Sequence, residues 1–185
     1  RYSYLPQQFS DCPDLWDNLK QFVESGDFTL GEPLEKFEES FAKLIGTKYA
    51  IGVNSGTDAI KLSLKAYGIG PGDEVITAAN TFVATIGAIC EIGATPVFVD
   101  CDETFCMDVT KIEPAITEKT KVLLPVHFSG CMTDMKTIQK LKQKYELLVI
   151  EDACQAILGS IDSKIAGTWG DTGAFSLHPL KNLNV

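Results

Sequence analysis

Four short stretches of this sequence hold residue types that could do chemistry. Lys181 closes the run Ser176-Leu177-His178-Pro179-Leu180. A lysine whose ammonium is partly desolvated and electropositively placed gives up its proton more readily and can form a Schiff base with an aldehyde; the plain alternative is a solvated surface charge. Asp152 follows the apolar run Leu147-Leu148-Val149-Ile150 and Glu151, where a carboxylate is costly unless it meets a cation or good donors. Pairing with a protonated ring nitrogen is one use for it, and capping the next helix is another. Ser55-Gly56-Thr57 stands between a strand-like run and a helical one, so its backbone N–H groups would lie unpaired at the positive end of a helix dipole, where phosphate binds well. Glycine at 56 would let an anion approach the backbone closely, while the same residues also suit an ordinary helix cap. Phe82, after Asn80-Thr81, could offer a flat face for a ring to stack on, or simply fill a core. His127 and His178 read as structural imidazoles.

The elements that must position these residues alternate along the chain. Apolar periodicity predicts helices over 14–24, 33–45, 58–67, 81–92, 110–116 and 134–145. Strands are expected over 49–53, 74–77, 96–99, 121–126, 147–150 and 172–177. Alternating strands and helices with turn residues between them specify an α/β fold: a mostly parallel central sheet with helices on both faces, in three α/β/α layers. In such sheets ligands bind beyond the carboxyl ends of the strands, where all four stretches fall.

Composition narrows the function classes. The 185 residues carry 16 basic and 25 acidic side chains, a net charge of −9. The lysines are scattered rather than striped, which argues against a nucleic-acid backbone as partner. A compact chain of this mass would expose roughly 8,700 Å², so a sizeable core is possible. No apolar run reaches membrane-spanning length, no secretory leader opens the chain, and the six cysteines contain no C-x-x-C pair. They read as small buried thiols of a cytoplasmic protein rather than metal ligands. Arg1 is the sole arginine, so any guanidinium clamp on a substrate carboxylate must come from outside these residues. The absence of an initiator methionine and of a terminal stop signal suggests a piece of a longer protein.

A phosphate turn, a stacking aromatic, a strand-end acid and a loop lysine, in that order, are what a pyridoxal phosphate site requires, and the words themselves match a family. Asn54-Ser55-Gly56-Thr57-Asp58-Ala59, Asn80-Thr81-Phe82-Val83-Ala84-Thr85, Glu151-Asp152-Ala153-Cys154-Gln155-Ala156 and Ser176-Leu177-His178-Pro179-Leu180-Lys181-Asn182-Leu183 resemble the DegT/StrS-type sugar aminotransferases. The runs Gly31 to Glu38 and Gly70 to Ile76 are similar as well, so the likeness extends from about Leu30 to Val185. The resemblance implies the large domain of the pyridoxal-phosphate-dependent fold type I, with the smaller C-terminal domain outside this sequence.

By that resemblance Ser55, Gly56, Thr57 and Ser176 belong to the cradle for the cofactor phosphate. Phe82 stacks on the pyridine ring, Gln155 lies near its phenolic oxygen, Asp152 pairs with the ring nitrogen and Lys181 carries the cofactor. The family usually has an aromatic where Leu177 stands and a hydroxyl residue where Leu180 stands, so hydrogen bonds near the lysine are expected to differ here. The implied reaction moves an amino group from glutamate or glutamine to a ketone of a nucleotide-linked sugar, in a homodimer with the active site at the subunit interface. Retention of Lys181, where a dehydratase branch has histidine, favours transamination. A same-fold dehydration or aromatisation and a catalytically silent regulator are the alternatives.

Overall fold

The computed structural model describes residues 5–183, except the side chains of Leu5 and Gln8; Arg1 and the terminal Asn184-Val185 lie outside the described residues. Three helices come first: α1 (Leu5–Ser10), α2 (Leu15–Ser25) and α3 (Glu32–Ile45). Gly26 and Gly46 stop α2 and α3 in left-handed conformations, at φ 70° and 83°, which glycine adopts without the Cβ clash. The alternating body follows as α4 (Gly56–Ala66), β1 (Glu74–Ala78), α5 (Val83–Glu91), β2 (Thr95–Val99), α6 (Ile112–Ala115), β3 (Thr120–Leu124), α7 (Met135–Tyr145) and β4 (Leu148–Asp152). A small antiparallel pair, β5 (Ser160–Ile161) and β6 (Lys164–Ile165), precedes β7 (Thr172–Ala174).

Five parallel strands form one sheet in the order β2-β1-β3-β4-β7. Strand alternation divides its side chains between two cores. Val75, Val122, Leu124 and Ile150 pack with Ile60 and Leu64 of α4 and Ile89 of α5. Ile76, Leu123 and Val149 pack with Ile112 of α6 and Met135, Ile138 and Leu141 of α7. Helices thus cover both faces, as the three-layer reading requires. From β1 the chain moves outward to β2 and then crosses back to β3 on the other side. That reversal opens a crevice at the carboxyl ends of β1 and β3.

Two expectations fail. Residues 49–53 form no strand: Tyr49 and Ile51 are 71% and 80% exposed, and the segment is tied to α3 by Gly52 N–H donating to Glu38 Oε1 at 2.6 Å. Its apolar residues resemble a buried strand, but no neighbouring strand pairs with it among the described residues. The cysteines are not uniformly buried either. Cys106 is buried, Cys101 and Cys154 are half-buried, and Cys12, Cys90 and Cys131 are exposed, because the last three lie on loops or on the outer side of a helix. The helix expected over 110–116 begins as a tight turn at Val109–Lys111 before α6.

Candidate active site

The sheet delivers two acids side by side at the end of β4, and alternation sends them to opposite faces. Asp152 turns towards the α4/α5 layer and is only 7% exposed. Its Oδ2 accepts the Thr85 hydroxyl at 2.8 Å, and its Oδ1 accepts the Cys154 N–H at 3.2 Å. Glu151 turns the other way and is fully buried. Its Oε2 faces His127 Nε2 and the Gly167 N–H, each at 2.9 Å, while Oε1 accepts the Trp169 and Gly170 N–H groups at 2.7 and 2.6 Å. Thr133 N–H approaches His127 Nδ1 at 3.4 Å, which assigns Nδ1 as acceptor and puts the ring proton on Nε2, facing Glu151. His127 is therefore the satisfied buried imidazole the sequence suggested.

Ser55 caps α4 in extended backbone, φ −162° and ψ 165°, and its Oγ accepts the Asp58 N–H at 3.1 Å. That role leaves the hydroxyl proton for another partner. The N–H groups of Gly56 and Thr57 lead the helix and, by helix geometry, lack partners within it. The Lys61 ammonium, 2.6 Å away, and then the Asn54 amide hold the Asp58 carboxyl below its usual range, so the acid in this first turn is charge-paired. A Cβ at Gly56 would come within 2.7 Å of Cys154 Sγ and 3.2 Å of Ser176 Cβ; only glycine lets the helix start rest on these two segments. Burial, and next to it the Asp152 charge, push the Cys154 thiol far above its usual range, while the Lys181 ammonium opposes that rise. Cys154 is thus a protonated packing group within electrostatic reach of both Asp152 and Lys181.

Phe82 stands just before α5 and is 65% exposed, so it is not a core residue. Gln155 and Lys181 line one open cavity of about 330 Å³ with Ser129, Leu180 and Asn182. Ser129 N–H donates to Gln155 Oε1 at 3.0 Å, which leaves the Gln155 amide as a hydrogen donor to anything else it meets. His178 keeps the lysine loop in shape: its Nδ1 accepts the Leu180 N–H at 3.2 Å, and its carbonyl accepts the Lys181 N–H at 2.7 Å. Leu180 is exposed.

The eight residues singled out from the sequence thus fall into linked groups along one edge. Gly56 touches the Cys154 and Ser176 segments, with Ser55 and Thr57 beside it. Asp152 binds Thr85, one turn from Phe82. Gln155 and Lys181 share a cavity. This donor set fits pyridoxal phosphate: a helix start with hydroxyls for the phosphate, an exposed ring face, a buried carboxylate for a protonated nitrogen and a lysine for the aldehyde. Among the described residues no cluster of three or more His, Cys, Asp or Glu side chains could hold a metal ion. Thr85 and Glu151 escaped sequence reasoning. The signal for Thr85 is a hydroxyl residue on the buried side of an otherwise apolar helix, and the signal for Glu151 is the alternation of Val149 and Glu151 against Ile150 and Asp152.

The parallel sheet flanked by helices, and the residues gathered at its carboxyl edge, are those of the pyridoxal-phosphate-dependent transferase class. The chain belongs to the DegT/DnrJ/EryC1/StrS aminotransferase family, whose model matches residues 12–185. It is similar to a pleiotropic regulatory protein of Geobacillus stearothermophilus, 45% identical over 97% of this chain and 49% of that protein. It is likewise similar to a dTDP-3-amino-3,4,6-trideoxy-alpha-D-glucose transaminase of Micromonospora megalomicea subsp. nigra, 40% identical over 98% of this chain and 49% of that one. Among solved structures, NtdA of Bacillus subtilis with bound cofactor PMP superposes with a TM-score of 0.89 at 43% identity, over 95% of this chain and 40% of that one. The chain spans about half the length of the curated relatives it matches.

Proposed function

We propose that the full-length protein is a pyridoxal-phosphate-dependent aminotransferase that moves an amino group from glutamate or glutamine to a ketone of a nucleotide-linked deoxysugar. The observation that carries this is Asp152: a carboxylate 7% exposed at a strand end, bonded to Thr85 one turn from the exposed Phe82, has its use as partner to a cationic ring. The bound group would supply an electron sink for the carbanion formed when a donor amino acid loses its α-proton. Asp152 would hold the ring-nitrogen proton in place. Lys181 Nζ would anchor the aldehyde and, once released by the donor amine, carry the proton between the donor α-carbon and the coenzyme C4′ as general base and then acid. Phe82 would stack on the ring, and Gln155 would donate its amide hydrogen to the phenolic oxygen. Ser55, Gly56, Thr57 and Ser176 would hold the phosphate.

The chain is read as most of the large domain, with the remaining half of the protein supplying a smaller C-terminal domain. A homodimer is the proposed assembly, its partner chain completing the phosphate and sugar sites, and its free thiols suit a cytoplasmic home. The similarity to transaminases of nucleotide-linked sugars supports the acceptor class. The similarity to a pleiotropic regulatory protein favours one second reading, a silent regulator on the same fold. Full-length protein saturated with pyridoxal phosphate separates the two. Catalysis predicts a visible absorbance band that borohydride bleaches onto Lys181, loss of that band and of at least about 10³-fold activity in Lys181→Ala, and transfer of label from glutamate to a member of a 3-keto and 4-keto sugar-nucleotide panel. A protein with no band and no transfer is the regulator.

A further inference from the structure

We infer that Thr85 is a positioning residue, the second link of a hydroxyl relay, Thr81 to Thr85 to Asp152, that fixes the strand-end carboxylate for a ring nitrogen. The inference rests on the coenzyme-binding reading above. Thr85 Oγ1 lies 2.8 Å from Asp152 Oδ2 and 2.8 Å from Thr81 Oγ1. An ionised carboxylate can only accept, so the single Thr85 proton goes to Oδ2 and Thr81 must donate to Thr85. The direction of both bonds is thereby set. Thr85 is 1% exposed and belongs to the first turn of α5, directly after Phe82.

The arrangement solves a geometric problem. Asp152 ends its strand, and only backbone holds its main chain there: its N–H donates to the Pro125 carbonyl at 2.9 Å, and its carbonyl accepts the His127 N–H at 3.0 Å. Without a further contact the carboxyl could rotate about its side-chain bonds. The Cys154 N–H pins Oδ1 and the Thr85 hydroxyl pins Oδ2, so the plane is fixed by one donor on each oxygen, and each oxygen keeps a lone pair for a third donor. Hydrogen bonds to charged acceptors are stronger than neutral ones. Because α5 also carries Phe82 at its start, one helical turn would set both the face of the coenzyme ring and the line of approach to its nitrogen. Thr81, by donating to Thr85 Oγ1, occupies one of its lone pairs and leaves its proton for Asp152.

The test uses full-length protein with Thr85→Val, which keeps the shape and loses the hydroxyl, and Thr85→Ser, which keeps the hydroxyl. Each is titrated with pyridoxal phosphate and with its 1-deaza analogue, which has carbon in place of the ring nitrogen. The expected result is about tenfold or greater loss of pyridoxal phosphate affinity in Thr85→Val, restored within about threefold in Thr85→Ser, with the deaza analogue bound alike by all three proteins. Steady-state kinetics should show the loss in kcat more than in the KM of the sugar. Equal weakening for both coenzymes in Thr85→Val, or no weakening for either, overturns the relay. Failure of the underlying reading looks different: unsubstituted protein would then leave Lys181 unmodified by borohydride with pyridoxal phosphate present.

Discussion

The sheet body and the N-terminal arm, residues 15–30, use apolar residues in opposite ways. In the body, Ile76, Leu123, Val149 and Ile150 are wholly buried, each within one of the two cores. In the arm, α2 has no buried residue, and Trp16, Val23, Phe28 and Leu30 are 71%, 54%, 61% and 79% exposed. The 49–53 segment continues that pattern. Overall the chain exposes 10,895 Å², against the roughly 8,700 Å² of a compact protein of its mass. The body has found its partners within the chain and the arm has not. An exposed apolar stretch of this extent marks a surface made for contact, in keeping with the proposed dimer and second domain.

Experiments on the full-length protein can sharpen or break this contrast. The largest effect should come from the body: Ile150→Ala removes a side chain with no exposure and should cost about 2–5 kcal/mol in denaturant unfolding. A cost below about 1 kcal/mol would show that the sheet core is looser than its packing implies. A smaller effect is expected at the start of α7, where Asp134 Oδ1 accepts the Lys136 and Thr137 N–H groups and Oδ2 the Thr137 hydroxyl. Asp134→Ala should cost about 1 kcal/mol at neutral pH. Burial raises the Asp134 carboxyl, but the Thr137 and Lys136 hydrogen bonds outweigh it and the net shift is downward. The folded group therefore binds its proton less readily than the unfolded one. Its contribution is complete above the unfolded carboxylate range near pH 4 and disappears as the pH falls through the lower folded value. The gap between Asp134→Ala and the unsubstituted protein should accordingly close towards pH 2, and a gap that stays constant would assign the effect to packing. The smallest perturbation is alkylation at pH 8 followed by peptide mass analysis. Cys154, its thiol held protonated by burial and by Asp152, should stay unlabelled while exposed Cys90 and Cys131 react. Cys12, beside the arm, should label more slowly than Cys90 because the rest of the protein covers the arm; labelling as fast as Cys90 would show that the arm stays bare.

Much of this was legible from residue order, for identifiable reasons. Glycine at 26 and 46 forced the ends of α2 and α3, and short apolar runs with turn residues between them marked β1 to β4. Periodicity alone misjudged 49–53, because an apolar run encodes the need for cover without saying which chain supplies it. Motif order singled out the residues of the carboxyl edge, since those side chains serve whatever chemistry they touch. Thr85 and Glu151 stayed hidden because their partners lie 67 and 24 residues away, at Asp152 and His127. Such pairings become visible only when the sheet closes. Cys154 beside Gly56 is of the same kind.

The neighbouring acids of β4 carry a final consequence. Glu151 is paired in register with Gly173, and Asp152 with Ala174, so a slip of one position along the sheet would exchange their surroundings. The carboxylate that clamps the turn before β7 would swing into the cleft, and the one facing the cleft would be sealed inside. Fastening the scaffold and the proposed task of meeting the coenzyme ring are therefore interlocked like adjacent teeth of one zip: a misaligned frame would lose both.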